Sequence, residues 1–266
     1  MLNFTAICPH PMSAIPGADK FAFSRLKKTI QAMEKLSQEM EKFQIETVVI
    51  VSPHGPMRYD KFTVNFEESF QESSFGAGLL RDENLIFKNN SNLTRIIAKE
   101  FRKRYLPSEN IRENFLDYGS LVPLYYLNKN SKNKFRVVPL TITAFDFKMH
   151  YEVGKVLREI FDQIEENIAF IASADLSQRV TEASPAGFSP YGAKFDRTVI
   201  DLLKENQAEK FFKLNPDFCQ EAAECGLRSI VMALGLFAQE KVSFIPFSYE
   251  SPLGTGHLVG RWKFGK

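Results

Sequence analysis

The sequence predicts an α/β fold, a single domain with a central, largely parallel or mixed sheet flanked by helices. Short apolar runs typical of buried strands alternate along the chain with longer segments in which apolar residues recur at helical spacing. The 266 residues contain no internal repeat, low-complexity tract or linker rich in Pro, Gly or Ser. We therefore expect one domain over residues 1–266.

Strands are predicted where β-branched and other apolar residues run together or alternate with polar ones. Three uninterrupted runs, Phe4–Cys8, Thr47–Val51 and Ile168–Ala172, are each followed by a polar segment. The other predicted strands are Phe62–Phe66, Phe135–Ile142, Val242–Tyr249 and His257–Phe264.

Helices are predicted where apolar residues recur every three or four positions with charged residues between them, as between Phe23 and Met40. The predicted helices are Phe21–Phe43, Asn92–Tyr105, Leu121–Leu127, about His150–Glu165, Tyr191–Glu205 and Gln220–Phe237.

Composition excludes several classes of protein. A formal net charge of +2, without a basic run interleaved with aromatics, argues against a nucleic-acid partner. No apolar run approaches the roughly 20 residues that cross a bilayer, and no signal peptide opens the chain, so no membrane partner is expected. Cys8, Cys219 and Cys225 lack Cys-x-x-Cys spacing, which argues against a disulfide framework and for a reducing cytoplasm.

Histidine is the residue type that first indicates a site. The chain has four: His10, His54, His150 and His257. His10 lies in Pro9-His10-Pro11 after one predicted buried strand, and His54 in Ser52-Pro53-His54-Gly55 after the next. Ligands bind at the carboxyl ends of strands in open α/β sheets, so this pair predicts a metal site. His150 begins a predicted helix and is expected to be an exposed or capping residue.

Two imidazoles and one carboxylate leave positions open on one face of a metal, an arrangement that suits Fe(II) binding both substrate and O2. The carboxylate candidates are Asp117, Asp175, Glu224 and Glu250, all near predicted loops or helix starts. The residues alone do not choose among them, although Asp175 is expected to cap backbone donors at its strand end.

Five motifs occur in an order that resembles the LigB superfamily, the class III extradiol ring-cleavage dioxygenases together with the Memo-like proteins. They are Pro9-His10-Pro11, Ser52-Pro53-His54-Gly55, Ala172-Ser173-Ala174-Asp175-Leu176-Ser177, Ser189-Pro190-Tyr191-Gly192 and Glu224-Cys225-Gly226. The resemblance extends from Cys8 to about Gly260. The branch it resembles most is the one associated with radical-SAM proteins.

The resemblance implies that His10 and His54 are metal ligands and that Glu224 is the carboxylate ligand. Cys225 is the alternative third ligand, because Memo-like relatives use a cysteine at about this position. The implied metal is Fe(II), with Zn(II) or another divalent metal as the alternative.

The chain departs from the dioxygenase pattern at two positions. The resemblance places histidines at positions 178 and 118, which here are Gln178 and Tyr118. Both remain candidate catalytic residues. Gln178 can donate a hydrogen bond but cannot relay a proton near neutral pH. Tyr118 could relay one, although its unperturbed pKa near 10 makes it a poor base unless strongly shifted. We hypothesise that His257 reaches the metal pocket and supplies the missing acid–base function.

The resulting functional hypothesis is oxygen-dependent extradiol cleavage of a catechol-type aromatic ring. The alternative is a Memo-like metal-binding protein without dioxygenase activity, in a radical-SAM-linked pathway. A zinc hydrolase ranks last, because no His-Glu-x-x-His helix is present. Arg179 and Arg228 are candidates to meet a substrate carboxylate. The sequence does not fix the oligomeric state, and a homo-oligomer is allowed.

Overall fold

A computed structural model describes residues 1–72, 85–129, 131–132, 134–205 and 207–265. The strands within these residues are β1 Leu2–Cys8, β2 Thr47–Ser52, β3 Phe62–Asn65, β4 Ser69–Glu72, β5 Phe87–Lys88, β6 Ser108–Ile111, β7 Phe115–Leu116, β8 Arg136–Thr141, β9 Ile168–Ser173, β10 Val242–Glu250 and β11 His257–Phe264. The helices are α1 Lys20–Arg25, α2 Lys27–Glu41, α3 Ser91–Lys103, α4 Tyr118–Lys129, α5 Phe147–Asp162, α6 Gly192–Glu205, α7 Ala208–Phe212, α8 Pro216–Glu221 and α9 Leu227–Gly235, with a 3-10 turn at Met12–Ala14.

The predicted α/β class is confirmed. Within the described residues, eight strands form one mixed sheet in the order β10-β11-β1-β9-β2-β8-β3-β6, and β5-β4-β7 form a small second sheet. The four central strands β1, β9, β2 and β8 run parallel to one another. Strands β11 and β10 continue the sheet antiparallel at one side.

The register of the central strands brings three loops to one edge of the sheet. Cys8 at the end of β1 pairs with Ser173 at the end of β9, and Val51 near the end of β2 pairs with Ala172. The chain therefore leaves β1, β9 and β2 at the same level. This alignment carries His10, His54 and Asp175 to a common place, as predicted from the strand ends.

Helices cover both faces of the sheet, which explains why its central strands are continuously apolar. In β2, Val48 and Ile50 join a cluster with α2 and α4, whereas Val49 and Val51 join the opposite cluster with α3, α5, α6 and α9. All four side chains are fully buried. The β-strand period of two thus divides a single apolar run between two cores.

Two predicted helices are interrupted in the structure. The predicted helix Phe21–Phe43 is divided into α1 and α2 at Leu26. The predicted helix Gln220–Phe237 is α8 and α9, separated by the irregular segment 222–226, in which Ala223 has a positive φ of 48°. The helical spacing of apolar residues continues through this break and therefore predicts one helix. The interruption is what positions Cys225.

The expectation that His150 is an exposed or capping residue is wrong. His150 lies in the first turns of α5 and is fully buried, with Nδ1 donating to the carbonyl of Asp146 at 2.8 Å and Nε2 accepting from the Thr143 amide at 3.2 Å. It is therefore a core histidine that ties the end of β8 to α5. Among the described helices, none is both long enough and apolar enough to cross a membrane.

Candidate metal centre

Three side chains with metal-binding atoms meet at the aligned strand ends. Nε2 of His10 lies 3.1 Å from Nε2 of His54 and 3.7 Å from Sγ of Cys225. The three donor atoms lie within 4.8 Å of one another. In the described part of the chain, these residues form the one cluster of three or more such donors. His10 is buried, whereas His54 and Cys225 are half-buried, so the cluster is reached from the side of the latter two.

Hydrogen bonds fix the tautomer of His10. The hydroxyl of Ser173 donates to the carbonyl of Gly119, so its oxygen accepts from Nδ1–H of His10 at 2.8 Å. Nδ1 therefore carries the proton of the neutral ring, and the Nε2 lone pair points into the cluster. The amide of His10 also donates to Oδ1 of Asp175, at 3.1 Å.

Both imidazoles are held in the neutral form that binds metals. Burial lowers the pKa of His10. Burial, with a contribution from His10, lowers the pKa of His54 to about 4. The two Nε2 atoms of these neutral rings lie 3.1 Å apart, which is close to the spacing of neighbouring ligands that each lie roughly 2.0–2.1 Å from one ion.

The His54 loop is held by the start of α4. The Ser52 hydroxyl accepts from the His54 amide at 3.1 Å and donates to Asp117. Asp117 also accepts from the amide and hydroxyl of Ser120 in the first turn of α4. Gly119 allows this contact, because a β carbon there would lie 2.4 Å from Ser52 Oγ. The candidate carboxylate Asp117 therefore positions the His54 loop and lies outside the donor cluster.

Tyr118 and Gln178, the two departures from the family pattern, both border the cluster. The Tyr118 ring stacks on His54 at 4.3 Å and 25°, and meets His10 edge-on at 5.7 Å. Burial raises the pKa of Tyr118 to about 12, so its phenol stays protonated at neutral pH. The amide of Gln178 donates to the carbonyl of Ala222 at 3.1 Å, and the Gln178 side chain acts to lower the pKa of the Cys225 thiol.

Cys225 supplies the third donor of the cluster. Burial raises the pKa of its thiol, and the carboxylates of Asp175 and Glu224 raise it further. A bound cation would reverse this balance, because a coordinated thiol is deprotonated. Gly226 lets the segment approach the end of β9, since a β carbon there would lie 2.4 Å from that of Ala174. Two imidazoles and a thiol at these spacings fit a divalent transition metal.

Glu224, the expected carboxylate ligand, lies outside the cluster. Its Oε2 accepts from the amide of Leu227 at 2.8 Å and caps α9, and its Oε1 lies 3.8 Å from Nη1 of Arg228. Burial raises the pKa of Glu224. The alternative residue, Cys225, occupies the expected third place. Glu224 and Cys225 are neighbours in an irregular segment, and their side chains extend in different directions. The sequence motif does not indicate which of the two enters the cluster.

His257 lies behind the cluster and does not belong to it. Its Nδ1 is 3.0 Å from Oδ1 of Asp175, whose Oδ2 is 3.5 Å from Nε2 of His10. Burial acts to raise the pKa of Asp175, but His10, His257 and their hydrogen bonds outweigh it and hold the pKa well below its usual range. Asp175, expected to cap backbone donors, thus also links His257 to His10. Sequence reasoning did not identify Ser173.

Glu250, the remaining carboxylate candidate, is also engaged elsewhere. Its Oε1 accepts from both the amide and the hydroxyl of Thr29 at 2.7 Å, near the start of α2.

Comparison with known proteins identifies the family. The profile of the catalytic LigB subunit of aromatic ring-opening dioxygenase matches residues 5–257, nearly the whole chain. The chain belongs to the LigB family. The resemblance carried by the two histidine motifs and the Ala174-Asp175-Leu176 segment is thereby confirmed.

Three individual proteins are similar to this chain in sequence or in fold. The LigB-family chain is 30% identical to Protein CA_C1420 of Clostridium acetobutylicum over 97% of its own length, and it spans only 57% of that relative. It is 25% identical to the 3,4-dihydroxyphenylacetate 2,3-dioxygenase of Escherichia coli, over 80% of this chain and 81% of that one. The uncharacterized protein JW3007 of Escherichia coli K12 shares the fold of this chain, with a TM-score of 0.68 and 16% identity. The match covers 98% of this chain and 99% of that one.

Proposed function

We propose that this LigB-family chain is a metal-dependent dioxygenase that opens a catechol-type aromatic ring with O2. The observation that carries the proposal is the donor cluster of His10, His54 and Cys225, whose nitrogen atoms lie 3.1 Å apart at the ligand-binding edge of the sheet. The similarity of the chain to a protein named 3,4-dihydroxyphenylacetate 2,3-dioxygenase supports the substrate class. Fe(II), held by these three residues, would supply the redox link between the ring and O2.

Tyr118 is suited to orient the ring. Its side chain already stacks on His54 at 4.3 Å, so a flat substrate entering beside His54 meets an aromatic wall. With a pKa raised by burial to about 12, its phenol donates a hydrogen bond and does not accept a proton at neutral pH. Gln178 offers an amide donor and acceptor beside the Cys225 thiol.

In this proposal the Asp175–His257 pair positions the His10 ligand. Neither Tyr118 nor Gln178 replaces an imidazole as a proton carrier near neutral pH. Asp175 is held ionised, and its Oδ2 lies 3.5 Å from Nε2 of His10, with His257 bonded to its other oxygen. His257 is 2% exposed, so it acts through Asp175 as a positioning residue rather than by touching the substrate.

Oxygen uptake tests the proposal. Anaerobically Fe(II)-loaded protein is mixed with 3,4-dihydroxyphenylacetate, protocatechuate and other catechols, and O2 consumption and the absorbance of a ring-opened product are followed. We expect uptake with at least one catechol, abolished in His54→Ala and kept in Arg158→Gln, a control on the far side of α5. Fully Fe(II)-loaded protein that consumes no O2 with any catechol would contradict the proposal.

A second candidate is a metal-binding protein without dioxygenase activity, as in Memo-like relatives. The observation that favours it is a thiol in place of a carboxylate, because two nitrogens and thiolate sulfur are donors that zinc prefers. Tightly bound Zn(II) that Fe(II) does not displace, together with no O2 uptake, would support this candidate.

A further inference from the structure

A cavity of about 660 Å³ lies between the starts of α5 and α9, beside the segment 222–226. Its lining includes Phe147 and Lys148 from α5 and Arg228 from α9. Phe212 at the end of α7 and Leu214 between α7 and α8 complete this part of the lining. None of the three residues in the donor cluster lines it. A volume of this size is typical of pockets for small organic ligands, about 300–1,000 Å³.

We propose that this cavity binds a small organic carboxylate with a flat apolar body, whose carboxylate group pairs with Arg228. The site is separate from the donor cluster and does not depend on the reaction proposed for it. The proposal rests on the geometry of one guanidinium group and on the apolar walls around it.

The Arg228 guanidinium is fixed in place but only partly used. Its Nε donates to the carbonyl of Phe145 at 3.1 Å, and its central carbon lies 5.5 Å from the centre of the Phe147 ring. Nη1 is 3.8 Å from Glu224 Oε1, which is too long for a hydrogen bond. Among the described residues, neither terminal nitrogen therefore has a hydrogen-bond acceptor. Two adjacent N–H donors of a fixed guanidinium match the two oxygens of a carboxylate.

The acidic residues at the cavity are occupied by helix capping. Oε2 of Glu224 accepts from the Leu227 amide of α9, and Oδ1 of Asp146 accepts from the Met149 amide of α5, each at 2.8 Å. Lys148 is exposed at the rim and forms no ion pair with the described residues. The cavity lies at the amino-terminal starts of two helices, whose positive dipole ends favour an anion.

The walls of the cavity favour an apolar body on the ligand. Phe147, Phe212 and Leu214 contribute carbon surface that is only half-buried in the folded chain. An aromatic or short branched carboxylic acid would cover this surface while its carboxylate reached Arg228. Formate and acetate lack such a body and are expected to bind far more weakly, since apolar burial adds to affinity in proportion to the area covered.

Isothermal titration of the full chain with phenylacetate, indole-3-acetate and the neutral analogue phenylacetamide tests this site. We expect both acids to bind and phenylacetamide to bind at least about tenfold more weakly, since it lacks the charge that pairs with the guanidinium. Arg228→Gln should weaken the acids by at least about tenfold, and Arg228→Lys by less, because charge remains without the planar fork.

Two control variants test whether binding of the acids depends on this cavity. Arg179→Gln removes a similarly exposed arginine that already bonds the Ala186 carbonyl, and should leave binding unchanged. His54→Ala disrupts the donor cluster and should also leave binding of the acids unchanged. A failure of the proposed dioxygenase reaction is therefore distinguishable from a failure of binding in this cavity. Binding that survives in Arg228→Gln, disappears in His54→Ala, or is absent for every acid at millimolar concentration would overturn the proposal.

Discussion

Nε2 of His10 lies 3.1 Å from Nε2 of His54, although 44 positions separate the two residues in the chain. The contact exists because β1 and β2 both pair in register with β9 and end at the same level. Burial keeps both rings neutral, so two imidazoles in the form that binds metals meet beside the Cys225 thiol.

Removal of the Ser173 hydroxyl should weaken metal binding. Ser173 is the acceptor for Nδ1–H of His10, and without it the ring loses its fixed tautomer and orientation. We expect Ser173→Ala to lower Zn(II) or Fe(II) affinity by about 10–100-fold, measured by competition with a chromophoric chelator. Ser229→Ala is the matched control, because the Ser229 hydroxyl is buried and has no hydrogen-bond partner among the described residues. Equal affinity in the two variants would argue against a tautomer-fixing role.

A methyl group at position 119 should disturb both stability and the site. In Gly119→Ala the new β carbon would lie 2.4 Å from Ser52 Oγ and 3.2 Å from Cδ2 of His54. Glycine to alanine within a helix normally stabilises by about 1 kcal/mol, whereas overpacking costs about 1–3 kcal/mol. We therefore expect a net loss of unfolding free energy in urea denaturation, with weaker metal binding. A stabilised variant with unchanged affinity would show that the close contact is unimportant.

His150 should make stability depend on pH in the acid range. Burial lowers its pKa from 6.5 to about 4, so between these values the folded state binds fewer protons than the unfolded state. The free energy of unfolding should therefore fall as pH falls from 6.5 to about 4, by up to about 3 kcal/mol.

The variant His150→Gln isolates this contribution, because the other titrating groups cancel in the difference from the unsubstituted protein. The stability advantage of the unsubstituted protein should shrink as pH falls from about 7 to about 4. Urea denaturation at several pH values measures it. A difference that stays constant with pH would mean that His150 is not a buried neutral histidine.

The fold was largely predictable because burial leaves a direct mark on sequence. The run Thr47–Val51 is almost entirely β-branched and apolar, and the structure finds it as a strand buried on both faces. The same logic failed at 222–226, since Cys219, Ala222 and Cys225 recur every three positions and continue the helical spacing into the break. Local periodicity does not report the tertiary contact of Gly226 with Ala174 that interrupts the helix.

The two histidines of the candidate site were predictable for a different reason. Each follows a buried strand directly, and the parallel order of the sheet brings strand ends together. The third donor was not, because Glu224 and Cys225 are adjacent and differ only in the direction each takes from an irregular segment. The support from Ser173 was missed since a serine at a strand end has many ordinary uses. Its partner Gly119 is 54 positions away.

Cobalt(II) titration of the metal-free protein tests most directly whether His10, His54 and Cys225 form the metal centre. We predict a single bound Co(II) with an intense thiolate-to-cobalt absorption band, which disappears in Cys225→Ser and persists in Glu224→Gln. Glu224→Gln keeps an oxygen acceptor for the Leu227 amide and is therefore the matched control. A band that survives in Cys225→Ser, or metal binding lost in Glu224→Gln alone, would contradict this centre and return the third position to Glu224.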